Sequence, residues 1–223
     1  MSIKLGSSIM RKVAMAISGL FLIIFLTQHF IINITSVFSE EIFNMFSHFM
    51  GNNFLVQFIA QPVLIVGVLF HFIMGFYLEL QNRSARSVQY VVYKGSANSS
   101  WISRNMIVSG AVVLSFLILH FYDFWIPEMK YKYVDILPED PNRYYEELVH
   151  KFKDPIKVLL YCISFLFLAL HLLHGFASSF KSLGTASKYY STISLITKVY
   201  AIGISLGFCF IAIFHLIGNF VTH

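Results

Sequence analysis

Apolar residues along the chain gather into five long runs, at about 13–34, 58–80, 105–126, 156–180 and 199–220. Between them lie NRSARSVQ, KSLGTASKYYS and a longer polar stretch from Pro127 to Pro155, all rich in turn formers or charge. Each run reaches the ~20 mostly apolar residues that carry a helix across hydrocarbon. None breaks into the short alternating segments of a membrane barrel. The pattern predicts an all-α integral membrane protein with five transmembrane helices, the first four forming a bundle and the fifth peripheral, in one membrane domain over residues 1–223. The first run is too long for the apolar part of a signal peptide and no small-x-small cleavage site follows it, so it is expected to be retained.

Composition agrees. Only 12% of residues are charged and 57% are hydrophobic, whereas a soluble domain carries about 25% charge. Basic residues set the orientation. With the N-terminus in the cytoplasm, the inner segments hold Lys4, Arg11, Lys12, Arg83, Arg86, Lys94, Arg104, Lys181, Lys188 and Lys198, and every carboxylate except Glu79 falls outside. The C-terminus is then also outside. The net charge of +5 reflects this topology and makes no case for nucleic acid. Cys162 and Cys209 each stand alone in an apolar run, with no CxxCH or CxxC, so neither attached c-type haem nor a cysteine-held cluster is expected. Both read as small core residues.

Six of the nine histidines fall inside the spans: His29, His71, His120, His171, His174 and His215. An ionisable side chain at membrane depth is a functional suspect, and correlated depths strengthen the suspicion. At ~1.5 Å of rise per residue, His29 and His120 lie roughly 24–25 Å from the inner face, and His71 and His171 about 15 Å from it. Four helices thus supply two pairs at two levels. The first helix reads SGLFLIIFLTQH and the third SGAVVLSFLILH, while the second reads HFIMG and the fourth HLLHG. This is a weak duplication of a helical hairpin. Gly75 and Gly175 lie one turn from their histidines and remove bulk beside them. Gly19 and Gly110 lie near the depth of the inner pair, where they leave room for its rings. Small residues that merely aid helix packing are the plainer reading of each glycine.

Zinc gathers three or four ligands at one point, and no carboxylate or cysteine accompanies these pairs. Copper accepts imidazole but leaves the glycine spacing unexplained. Haem iron takes ligands on opposite faces of a flat ring, and neutral imidazole suits it. Two b-type haems stacked across the bundle are therefore expected, in the manner of cofactors held between facing helices. Bis-histidine iron leaves no open coordination position, so the expected task is electron transfer between the two faces.

QHFIIN around His29, FNMFSHFMGNNF in the first outer loop, FHFIMGFYL around His71 and HLLHGF around His171 resemble the cytochrome b membrane-anchor subunit of succinate dehydrogenase and fumarate reductase. The likeness is to the single-chain, five-helix, di-haem type and covers residues from about 10 to 220. It implies a multi-pass subunit of a bacterial inner membrane, with a flavoprotein subunit and an iron-sulfur subunit docked on the cytoplasmic face. Electrons would pass between succinate or fumarate chemistry there and membrane quinone, often menaquinone. It implies that His71 and His171 hold the haem nearer the iron-sulfur subunit, and His29 and His120 the other. The H-x-x-x-G spacing favours His171 over His174. Some relatives of this type carry a glutamate two residues before the fourth-helix ligand. Here that position is Ala169 and no carboxylate is read deep in any span, which puts a proton path through that helix in doubt.

Weaker candidates remain. Arg11, Arg104 and Lys181 are placed to meet haem propionates, or to serve as interface anchors. His48 and Gln61, with Asn52, Asn53, Gln57 and Asp123, are outer-side candidates for a quinone site, which needs an apolar slot and a few polar groups. His215 is expected to form an interhelical hydrogen bond. Two other classes share part of the pattern: a hydrogenase or formate dehydrogenase cytochrome b anchor, and a transporter whose histidines relay protons.

Overall fold

The computed structural model describes residues 7–84, 106–185 and 187–221. Among them every regular element is helical. Five helices are long and apolar enough to cross a membrane: α1 (Ser8–Phe38), α3 (Val56–Ser84), α4 (Met106–Val134), α6 (Pro155–Ser182) and α7 (Tyr190–Val221). Two shorter helices, α2 (Glu40–Asn52) and α5 (Arg143–Lys151), occupy stretches that hydropathy alone reads as loops.

Local chemistry explains the boundaries. Ser7 Oγ caps α1 by accepting from Met10 N at 3.3 Å. Ser39 ends α1 and starts α2, its Oγ accepting from Ile42 N at 3.2 Å. Glu40 and Glu41 then sit at the positive end of α2. Asp154 caps α6 through Ile156 N at 2.9 Å, with Pro155 at the first helical position. Helix α4 runs eight residues past its apolar segment, through Pro127. Proline has no N–H and its ring presses on the carbonyl four residues back. The ladder widens to π turns at Phe121–Trp125 and Lys130–Val134 on either side, the usual way a helix absorbs such a disruption. Pro62 follows the π turn Val56–Ala60 in the same way.

Helices α1, α3, α4 and α6 form a closed ring of four. Helix α1 packs on α3, α3 on α4, α4 on α6, and α6 back on α1. Helix α7 lies outside this ring against α6 and α1, yet it is more deeply packed than its peripheral position suggested. It offers α6 a stripe of small residues, Ala201, Ser205 and Ala212, all buried. Close backbone approach through small residues is how helices associate where lipid is as apolar as leucine. At Gly207, a Cβ would overlap the Phe30 ring of α1. The main apolar core lies where α6 and α7 meet α2 and α5, around Phe43, Leu148, Phe152, Tyr161, Phe165 and Phe208. The end holding α2 and α5 is the loop end; the opposite one, where α1 begins and α6 finishes, is the basic end.

Candidate functional site

The ring of four brings the histidines together in twos, across its diagonals. His71 of α3 meets His171 of α6 near the basic end, with ring centres 6.3 Å apart and planes at 72°. His29 of α1 meets His120 of α4 nearer the loop end, at 5.7 Å and 84°. Neither pair belongs to helices that pack side by side. Among the described residues no three His, Cys, Asp or Glu side chains gather around one point.

An imidazole nitrogen sits about 2.0–2.1 Å from a first-row metal ion and about 1.1 Å from its own ring centre, so two rings facing one ion have centres about 6.3 Å apart. The pair nearer the basic end matches this spacing. The other stands about half an ångström closer. The donor set therefore fits a six-coordinate iron with two axial imidazoles, and it does not supply the three or four protein ligands of a zinc site.

The pair at the basic end is built twice from one unit. In α1, Ser18 Oγ donates to Met15 O at 2.9 Å and lies 3.0 Å from His71 Nδ1. In α4, Ser109 Oγ donates to Met106 O at 2.9 Å and lies 3.5 Å from His171 Nδ1. Because each hydroxyl proton goes to a carbonyl, the imidazole must be the donor, with hydrogen on Nδ1. Nε2 is left as the nitrogen with a free lone pair. Partners that fix a tautomer in this way are characteristic of ligating histidines. The next residue in each unit is the glycine of the repeat. A Cβ on Gly19 would sit 3.4 Å from His71 Cε1, and one on Gly110 3.6 Å from His171 Cε1. Gly75 and Gly175 instead face Met15 Cε and Met106 Cε. The shared signal, M-x-x-S-G in both α1 and α4, is longer than the Ser-Gly read from sequence.

The pair near the loop end is supported differently. The Asn33 amide donates to His29 O at 2.8 Å and lies 3.4 Å from His29 Nδ1. His120 Nδ1 is buried with no hydrogen-bond partner, a group that costs ~1–3 kcal/mol until something satisfies it. Phe116 stacks on His120 and Phe25 on His29.

One sequence expectation is corrected here. Asp123, three residues beyond His120, is a carboxylate within a span and only 1% exposed. Lys157 Nζ binds its Oδ1 at 2.8 Å, the Tyr161 hydroxyl donates to Oδ2 at 2.9 Å, and Lys151 lies 3.8 Å away. It is fully engaged and is no solvated loop residue.

Other candidates separate. His48 lines a cavity of about 260 Å³ beneath α2 and α5 with Asn52, Gln57, Tyr131, Lys132 and Tyr144; Gln61, one turn along α3, is not among its lining residues. His48 Nε2 donates to Pro141 O at 3.1 Å. Beside this cavity Glu128 receives Lys132 at 2.6 Å, the Tyr144 hydroxyl at 2.8 Å and Arg143. Burial alone would lower the Arg143 pKa, but the hydrogen bond and charge of Glu128 hold it above its ordinary value. Burial, reinforced by Glu128, raises the Tyr144 pKa. Sequence reading missed this cluster, because nothing local links Glu128 to Arg143. His215 forms the expected interhelical bond, its Nε2 2.9 Å from Ser36 Oγ. His174 takes no part in the pairs and lines a second cavity with Lys181. Arg104 lies outside the described residues.

No family model, curated protein or solved structure matches the chain.

Proposed function

We propose that this chain is the di-haem b electron-transfer and membrane-anchor subunit of a succinate:quinone oxidoreductase in a bacterial cytoplasmic membrane. The observation that carries the reading is the meeting of His71 with His171, and of His29 with His120, across the two diagonals of one helical bundle. Haem iron at each level would supply a reversible one-electron couple.

The chain's own residues do the rest. His71 and His171 would bind one haem, with Ser18 and Ser109 holding each Nδ1–H so that Nε2 stays available. Gly19 and Gly110 keep bulk away from these two rings. His29 and His120 would bind the second haem, flanked by the Phe25 and Phe116 rings, which exclude water. Two levels within one ring of helices give the electron a short route between membrane faces. A flavoprotein and an iron-sulfur subunit would dock at the basic end and exchange electrons with the nearer pair. The cavity lined by His48 and Gln57 at the loop end, with Gln61 close by on α3, is the proposed place for a quinone head, probably best met by menaquinone-type substrates in this family resemblance.

Purifying the chain from its native membrane tests the assembly. A flavoprotein and an iron-sulfur protein should accompany it, and succinate should bleach or intensify its haem bands. Co-purification with hydrogenase or formate dehydrogenase subunits instead would overturn the assignment while leaving the haem sites standing.

A further inference from the structure

A second cavity, of about 470 Å³, opens between α6 and α7 at the basic end. Its size falls within the ~300–1,000 Å³ of pockets that enclose small ligands. Lys181 and Lys198 line it together with His174, Ser178, Tyr190 and Ser194, and no carboxylate does. Neither lysine has an ion-pair partner among the described residues. Thr197 also lines the cavity, is only 2% exposed, and its Oγ1 has no hydrogen-bond partner. Buried hydroxyls are almost always satisfied, so this one marks a contact that a ligand would make. Leu173, Ala177 and Ile202 complete the wall with apolar surface.

Two uncompensated ammonium groups ask for an anion, and a hydroxyl set asks for an acceptor-rich one. The place narrows the class further. The cavity lies between two membrane-spanning helices, where α6 finishes and α7 starts, at the level of lipid headgroups. Its apolar wall suits the glycerol and first methylenes of a lipid.

We propose that the cleft between α6 and α7 binds the phosphodiester headgroup of an anionic membrane lipid, gripped by Lys181 and Lys198 with Thr197 Oγ1 donating from the floor. The proposal does not rest on the haem assignment.

The test uses the full chain purified from membranes with its native pigment. Its thermal midpoint is followed while dioleoylphosphatidylglycerol, dioleoylphosphatidylcholine or inorganic phosphate is added. Phosphatidylglycerol should raise the midpoint saturably, and the other two should not. The double variant Lys181→Gln/Lys198→Gln should need about tenfold more phosphatidylglycerol or beyond, since charge-assisted bonds are lost. Thr197→Val should weaken binding several-fold without disturbing the lysines, and serves if the double variant does not fold. Equal stabilisation by phosphatidylcholine would overturn the proposal, as would saturation by inorganic phosphate alone or unchanged affinity in the variants. Loss of haem in the double variant would overturn it too, by assigning the lysines to propionates.

Discussion

The two histidine pairs share a geometry and differ in almost everything around it. Near the basic end each imidazole is held by a serine whose own proton is committed to a helix carbonyl, and a glycine gives each ring its space. Near the loop end the rings are held by aromatic neighbours, one nitrogen is left without a partner, and a buried, fully paired aspartate lies one turn away. A duplicated hairpin built the first pair symmetrically. The second has diverged, with Asn33 on one side and Asp123 on the other. The lesson is that ligand geometry and ligand tuning are separable: helix packing sets the first, and single polar neighbours set the second.

The largest expected effect is the loss of one pigment at a time. His71→Ala or His171→Ala should remove the haem near the basic end and leave the other, and His29→Ala or His120→Ala should do the reverse. Haem content and the split of the optical bands report this directly. Loss of both haems from every single variant would break the comparison by showing one indivisible site.

Next comes Asp123→Ala. It strands Lys157 and Tyr161 in the interior, and removing one partner of a buried pair costs about 3–5 kcal/mol. Thermal unfolding should show that loss, while Ser115→Ala, on an exposed face of the same helix, should change little.

A smaller effect separates the two pairs by tuning. Ser18→Ala removes the acceptor for His71 Nδ1–H, which makes that imidazole a weaker donor to iron. A hydrogen bond of ~0.5–1.5 kcal/mol corresponds to about 20–60 mV for a one-electron couple. One of the two midpoint potentials should rise by that amount and the other should stay. Movement of the other potential alone would contradict the assignment.

The smallest effect is alkaline sensitivity confined to the loop end. Tyr144 keeps its proton above the ordinary value of 10.0 because it is buried beside Glu128. The unfolded chain releases that proton near pH 10, so stability is present below it and falls as pH rises further. The thermal midpoint should drop above pH 10, and less steeply in Tyr144→Phe.

Much of this was legible in the chain. The apolar runs located all five spans, because a membrane demands length and composition that no other context does. Counting residues from the basic ends paired His71 with His171 and His29 with His120, since depth is linear along a helix. The ends of the elements were less legible. Helix α4 continues through Pro127 on π turns, and α7 starts at Tyr190, because polar residues at the interface extend a helix without extending its hydropathy. Helices α2 and α5 were hidden for the same reason: they are half polar and are stabilised by packing on each other, where Asn44 Oδ1 accepts from Tyr145 N at 2.9 Å. The partners of Asp123 lie on another helix, at Lys157 and Tyr161. No local pattern announces such contacts. The role of Gly19 was visible only as a depth coincidence until His71 was found against it.

Haem content per purified chain is the most direct test of the central claim. Two low-spin b-type haems per polypeptide, each with the signature of two imidazole ligands, are predicted. A folded, full-length chain that is colourless, or that binds a single haem at full occupancy, would contradict the account.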